Sequence, residues 1–304
     1  MVISCIRHLE RRLHVRCNFC SAVTVAFSLS LSVLFFIFPA DSGGGSKGPE
    51  IPDNISGKVV YQRNGGIYIQ KLESDAQPQF IVRGSRPRWS PHGTDIGYIS
   101  GNRIMLISER GGTSELIATA VKARALTFSP DGRSLFYTDG TSLQNVKIKG
   151  HEVTTVVEGY RLLEVDAAGA PVRIAATVRK RFGYSVFVFD LQTGRHRAVA
   201  TGCSASLSPD GGLVTVNGKR HRFLNLHDWN SLSRVGRIAA PAGEKFDNQL
   251  WSNSPHWLVS MSEKNGDLYI HQIQQKRAFR LTWTGGCDRP DLFIERSVRP
   301  YSNN

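Results

Sequence analysis

Phe128-Ser129-Pro130-Asp131-Gly132-Arg133-Ser134-Leu135-Phe136-Tyr137-Thr138 reads as a hairpin. Proline presets φ at the second turn position, aspartate caps its own backbone, and glycine takes the positive φ that lets the chain double back. An apolar residue precedes the turn and a period-two apolar run follows it, so the turn joins two strands. Two further copies stand at Trp89-Ser90-Pro91-His92-Gly93 and Leu207-Ser208-Pro209-Asp210-Gly211. Worn copies follow at Asp166-Ala167-Ala168-Gly169 and Ser254-Pro255-His256-Trp257.

The spacing of these turns predicts the architecture. Gly93 to Gly132 is 39 residues, Gly132 to Gly169 is 37, Gly169 to Gly211 is 42, and Pro209 to Pro255 is 46. About 40 residues is the length of a four-stranded propeller blade, and helical repeats of that length need apolar residues every three or four positions. Beyond residue 40 the apolar pattern has period two instead, as in Tyr184 to Leu191, Val172 to Val178 and Leu268 to Ile273. The five turns open five units of inner, second, third and outer strand. Ahead of them stands a unit lacking an inner strand (Lys58 to Gln62, Gly66 to Gln70, Gln79 to Val82), and at the end an inner-type strand without a blade, Asp291-Leu292-Phe293-Ile294. Arg289-Pro290 before that strand matches Arg86-Pro87 before Trp89. The last strand is therefore expected to complete the first blade and close an all-β ring of six, removing an exposed edge.

Arg86-Pro87-Arg88-Trp89-Ser90-Pro91, the two Ser-Pro-Asp-Gly turns, and third strands such as Gly66-Ile67-Tyr68-Ile69 and Gly266-Asp267-Leu268-Tyr269-Ile270 resemble the WD-like repeats of six-bladed TolB-type propellers. The resemblance runs over residues 57–296. It implies the six-bladed fold. For function it implies less, because this repeat serves periplasmic adaptors, the propellers of serine peptidases and many lone propellers. The stretch from 41 to 57 leaves no room for the N-terminal α/β domain that TolB carries, so the likeness is to a lone propeller.

Ahead of the repeats the chain changes character. Arg7, Arg11, Arg12 and Arg16 lie in a basic head, 1–20, and an uncharged apolar stretch follows at 21–38. This is the pattern of a signal peptide, with cleavage before Gly43 after Ala40-Asp41-Ser42, or equally of a retained spanning anchor. Positive charge before the stretch keeps the N-terminus inside and sends the propeller out, to a periplasmic or other extracytoplasmic location. Residues 39–56, with Gly43-Gly44-Gly45-Ser46, read as a flexible linker, and 297–304 as a tail. Of five cysteines, Cys5, Cys17 and Cys20 belong to the head; Cys203 and Cys287 are expected to be free, partly buried thiols.

Charge points to the partner. The formal net charge is +13, and beyond residue 40 there remain 34 basic and 24 acidic residues. Such an excess favours an anionic partner: an acidic protein surface or peptide, an acidic glycan, or an anionic membrane surface, with nucleic acid less suited to an exported chain. Arg86, Arg124, Arg161 and Arg289 each stand three or four residues before an inner-strand position, where they are expected either to converge on the channel mouth as an anion site or to pair with Glu164, Asp247 or Asp288. A second basic surface is expected where Arg179-Lys180-Arg181 and Lys219-Arg220-His221-Arg222 occupy equivalent loops of blades four and five.

The motif search for chemistry is negative. Gly202-Cys203-Ser204-Ala205-Ser206 fails the Gly-x-Ser-x-Gly elbow at its last position, no His-x-His or His-Glu-x-x-His spacing occurs, and one carboxylate per turn does not make a calcium loop. The expectation is a non-catalytic adaptor or scaffold with no catalytic residues, metal or cofactor. The rival is a lactonase-like hydrolase that uses the central channel around a calcium held by inner-strand acids.

Overall fold

The computed structural model describes residues 51–295, apart from 53, 54, 74, 75, 219 and 242. The head, the apolar stretch 21–38, most of the linker, the tail and Lys219 of the basic loop lie outside the described residues. Ile51 and Ile55, at the end of the stretch read as linker, pack on the propeller core.

Six four-stranded antiparallel sheets account for all the strands among the described residues. Blade one holds β1 (Gly57–Arg63), β2 (Gly66–Lys71), β3 (Gln79–Arg83) and β24 (Asp288–Ile294); blade two holds β4 (Ser85–Trp89), β5 (Asp95–Ser100), β6 (Arg103–Ser108) and β7 (Glu115–Thr119). Blade three comprises β8 (Leu126–Phe128), β9 (Ser134–Asp139), β10 (Ser142–Lys147) and β11 (Val153–Val157), and blade four β12 (Leu162–Ala168), β13 (Arg173–Lys180), β14 (Gly183–Asp190) and β15 (His196–Thr201). Blade five is β16 (Cys203–Leu207), β17 (Leu213–Asn217), β18 (Phe223–Asp228) and β19 (Arg234–Ala239); blade six is β20 (Phe246–Trp251), β21 (Trp257–Ser262), β22 (Leu268–Gln272) and β23 (Arg277–Arg280). The inner strands β24, β4, β8, β12, β16 and β20 each touch the inner strand on either side, so they line one closed ring.

Closure is made as expected. β24 pairs antiparallel with β1, with Val59 opposite Leu292 and Val60 opposite Asp291. Phe293 then covers Gly93 in the first turn of blade two: a Cβ on Gly93 would meet that ring at 2.6 Å, and its φ of +70° also demands glycine.

The turns carry the chemistry read from the sequence. Ser129 Oγ donates to Asp131 Oδ1 at 2.6 Å and accepts the Ser134 amide, while the Arg133 amide caps the same carboxylate. Ser208, Asp210 and Leu213 repeat the arrangement. Both carboxyls sit below their usual range, first because of the serine hydroxyl.

The worn copies need correction. In blade four the chain stays extended through Ala168 and turns from Gly169 to Val172, so Asp166 is a channel-facing strand residue and lies outside the turn. In blade six the residue equivalent to Ser90 is Ser252, whose amide bonds the Trp257 carbonyl as Ser90 bonds Asp95; the Ser254-Pro255 pair lies two residues further on.

Period-two strands leave each blade apolar on both faces, and six buried clusters fill the six junctions between blades. The junction of blades six and one holds Tyr61, Trp257 and Phe279 among eleven buried residues, whereas that of blades five and six holds five: Leu224, Leu226, Ile238, Trp251 and Leu258. Trp229 is buried in the core of blades four and five; Trp283 is exposed.

Because β24 is supplied from the far end of the chain, deleting residues 288–304 is expected to abolish cooperative unfolding, leaving β1 unpaired on its inner side. A truncated protein whose denaturant transition keeps the midpoint and slope of the intact chain would show that closure is dispensable.

Candidate functional site

Two layers of side chains cross the ring. The inner layer takes one residue from each inner strand: Asp291, Arg88, Thr127, Asp166, Ser206 and Leu250, in blade order from one to six. Arg88 ion-pairs with Asp166 and, through Nε at 3.2 Å, with Asp291. Asp166 also accepts Ser206 Oγ at 2.7 Å and the Leu207 amide at 2.8 Å, and Asp291 accepts the Trp89 amide at 2.8 Å. The channel is thereby divided, and Arg88 lines the cavity on both sides of the layer.

The second layer, two residues earlier on each strand, is Arg289, Arg86, Ala125, Glu164, Ser204 and Asn248. These residues line a cavity of about 430 Å³ open to solvent. Four of them, Arg86, Ser204, Asn248 and Arg289, have φ between 50° and 54°, each inside a bulge of its inner strand. A left-handed non-glycine residue is costly and persists where neighbouring bonds hold it. Here the amides are held by acceptors: Gln62 Oε1 for Arg86 at 2.7 Å, Glu164 Oε2 for Ser204 at 2.7 Å, and Asp247 and Asp288 for the residues that follow them.

Of the four arginines singled out in the sequence, the structure brings two to equivalent positions in this mouth. Arg289 donates to Glu164 Oε1 at 2.6 Å, one of the pairings foreseen as the alternative to an anion site. Arg86 has no ion pair or side-chain hydrogen bond among the described residues. Burial first, then the neighbouring Arg289, push it down to about 10, with Glu164 and Asp288 offsetting only part. Arg124 is one residue short of the ring position, which Ala125 takes; it is half-buried and close enough to add to the repulsion on Arg86. Arg161 is three residues short of Glu164 and exposed, and it does not line the cavity. The fourfold recurrence thus reduces to two, because counting back from the turn ignores where each strand bulges.

The loops of blades four and five open on the same face. Arg179 donates to Tyr184 Oη at 2.5 Å, Lys180 lies 4.3 Å over the Phe187 ring, and Arg181 stacks on Phe182, which is 87% exposed. Arg220 and Arg222 are exposed, and Phe223 beside them is partly so beneath Arg237. The exposed aromatics within this basic surface were not marked from sequence. His221, marked from sequence only as a member of the basic run, turns inward toward Cys203. Cys203 and Cys287 are free thiols, as expected, and burial beside Asp247 and Glu164 pushes Cys203 up to about 12.

No protein-family model matches the sequence, and no curated protein matches it. Solved structures do match the fold. TolB from Acinetobacter baumannii aligns with a TM-score of 0.63 at 18% identity, over 80% of this chain and 68% of that one. A chain from a nidogen/laminin complex aligns with a TM-score of 0.61 at 11% identity, over 79% and 99%. Hydrazine synthase from Kuenenia stuttgartiensis gives 0.51 at 14% identity, over 64% of each. The chain has a six-bladed β-propeller fold of the TolB kind. At these identities the likeness fixes architecture alone.

The inner layer yields a pH dependence. Burial, opposed by Arg88 and the Trp89 amide, raises the Asp291 carboxyl from 3.8 to about 6. A raised folded-state value means that the folded protein holds the proton more tightly, so this contribution is complete below about pH 4 and is lost as pH rises through about 6. The buried His271, pushed down to about 3, acts oppositely in the same window and is common to parent and variant. Between pH 4 and pH 7 the stability of the parent relative to Asp291→Asn is therefore expected to fall by about 2 to 3 kcal/mol in denaturant titrations. Parallel profiles would place the proton elsewhere.

Proposed function

We propose that this chain is a non-catalytic propeller of the cell envelope that docks an anionic partner, an acidic segment of another protein or an acidic glycan, at the Arg86–Arg289 mouth. One observation carries the reading: Arg86 is a partly buried guanidinium with no carboxylate partner among the described residues, and Arg289 presses on it from alongside. A charge held in that state gains from an incoming carboxylate, and a guanidinium offers a planar fork for bidentate contact. The fold is shared with TolB and with a chain crystallised in a nidogen/laminin complex, which supports a protein-binding role in general. A calcium-dependent hydrolase is disfavoured because Asp166 and Asp291, the inner-layer acids that would hold the cation, are already ion-paired to Arg88.

The apolar stretch at 21–38 places the propeller outside the membrane in this reading, with the basic head inside. Among the described residues no helix is long and apolar enough to cross a membrane. A periplasm-dependent reporter fused after Asn304 is expected to be active; activity of a cytoplasm-only reporter there would overturn the location.

Arg86→Gln is expected to raise stability by about 1 to 2 kcal/mol, the pKa displacement discounted for partial exposure, while binding to an acidic peptide library weakens at least tenfold and loses most of its salt dependence. Arg289→Gln should weaken binding too, at some cost in stability because Glu164 loses its partner. Binding that survives both changes, and disappears when Arg179, Lys180, Arg181, Arg220 and Arg222 are neutralised, would move the site to the loops of blades four and five.

A further inference from the structure

Between blades five and six, three ligand-type side chains converge. Cys203 opens β16, His221 lies in the turn between β17 and β18, and Asp247 is the second residue of β20. One ligand atom from each lies within 4.8 Å of the other two, and Cys203 Sγ stands 3.4 Å from His221 Nε2. A tetrahedral zinc, bonded to sulfur at ~2.3 Å and to imidazole nitrogen at ~2.05 Å, would separate those two atoms by about 3.5 Å.

The surroundings match as well. The other imidazole nitrogen, Nδ1, is bonded to the Glu263 carboxylate, which fixes the tautomer and aims the Nε2 lone pair at the thiol. That carboxylate–histidine arrangement is how metal-bound histidines are oriented. Asp247 is positioned in the same manner, its Oδ1 accepting Ser204 Oγ at 2.7 Å and the Asn248 amide at 2.9 Å. Arg220 and His221 both hold positive φ, and the His221 carbonyl accepts the Phe246 amide at 2.9 Å, which ties this turn of blade five to the first residue of β20.

From this geometry we infer that Cys203, His221 and Asp247 bind a divalent, thiophilic metal ion of the zinc class, with Glu263 orienting the histidine and a fourth position left for water or a ligand. The thiol gives up its proton to solvent as the sulfur–metal bond forms. Thiolate and imidazole donors select zinc or cobalt over calcium or magnesium. Cys203, His221 and Glu263 also stand in the order of a thiol nucleophile, its base and an orienting acid, but Asp247 decides between the two readings. A carboxylate within 4.8 Å of the sulfur opposes a free thiolate and is accommodated when a cation lies between them. The ion would join blades five and six where the buried apolar cluster is smallest, and it would sit at the rim of the channel mouth, since Ser204 and Asn248 adjoin two of its ligands. The inference does not depend on what the mouth binds.

The test uses the full chain in detergent with Cys5, Cys17 and Cys20 changed to Ser, so that thiols of the N-terminal region do not contribute. After stripping with a chelator, Zn²⁺ is titrated against a chromophoric competitor and Co²⁺ is followed by absorption. One ion per chain is expected, with a thiolate-to-cobalt charge-transfer band and a melting temperature that rises on binding. Saturating Zn²⁺, but not Ca²⁺, should protect Cys203 from alkylation by iodoacetamide, a readout that needs no variant in the site. Cys203→Ser should abolish the cobalt band, Asp247→Asn should weaken Zn²⁺ binding, and Glu263→Gln should weaken it 10- to 100-fold. Cys287→Ser, on a buried thiol elsewhere, should change none of these. Absence of stoichiometric binding, a cobalt band that persists in Cys203→Ser, or alkylation of Cys203 indifferent to Zn²⁺ would each overturn the site.

Discussion

The contact on which the rest of this ring depends is Arg88 held between Asp166 and Asp291. A propeller is a set of separate sheets whose apolar faces stack, and stacking alone does not specify where the first and last sheets meet. Arg88 does so by bonding blade two to blade four across the channel and to β24, the strand that arrives from the far end of the chain. Burial works against the Arg88 charge, yet Asp166 and Asp291 outweigh it and raise its pKa. Removing one partner of such a buried group is far more costly than the net stabilisation the group provides, since it strands the remaining charge. The layer therefore acts as a requirement of registry: β24 must sit with Asp291 in place, and Trp89, which bonds both the Asp291 carboxylate and its carbonyl, reports the same register.

That layer also explains the two ends of the channel. One cation against two acids balances as long as one acid keeps its proton, which is the direction in which Asp291 is pushed. With the axis blocked at this level, a ligand entering from either mouth meets a floor instead of a through-path. The wider end, about 830 Å³, is bordered by turn residues such as Pro91, Pro130 and Pro209, and the Pro209 carbonyl accepts the Gly169 amide of blade four at 3.3 Å. The narrower end carries Arg86, Arg289 and Glu164.

The fold was legible in the sequence because its determinants are local. Ser-Pro-Asp-Gly needs only its own residues to make a hairpin, period-two patterning needs only the strand, and Arg289-Pro290 resembles Arg86-Pro87 because both enter the same bulge with the same left-handed residue. The site was legible only in part, since it is assembled from residues whose spacing along the chain carries no signal. Arg86 and Arg289 were found because they recur within a repeat. Arg124 and Arg161 were placed with them by counting, which fails where one blade has Ala125 at the ring position and another Glu164. Asp166-Ala167-Ala168-Gly169 was read as a worn turn because it keeps the glycine at the repeat's spacing, while the turn itself slid past the aspartate. Cys203, His221, Asp247 and Glu263 come from two blades, and His221 was visible only as one more member of a basic run.

Strain and charge coincide on the face that carries both candidate sites. Five of the six inner strands bulge there, four of them with one non-glycine residue near φ +50°, and the amides so turned are capped by Gln62, Glu164, Asp247 and Asp288. Bulges re-aim side chains that a regular strand would direct at its neighbours. In this ring they bring Arg86, Ser204, Asn248 and Arg289 into the mouth, and they leave Cys203 and Asp247, one residue earlier, at the junction of blades five and six. The cost of these four left-handed residues is offset by the bonds that cap their amides, and the same bonds fix four side chains at the mouth.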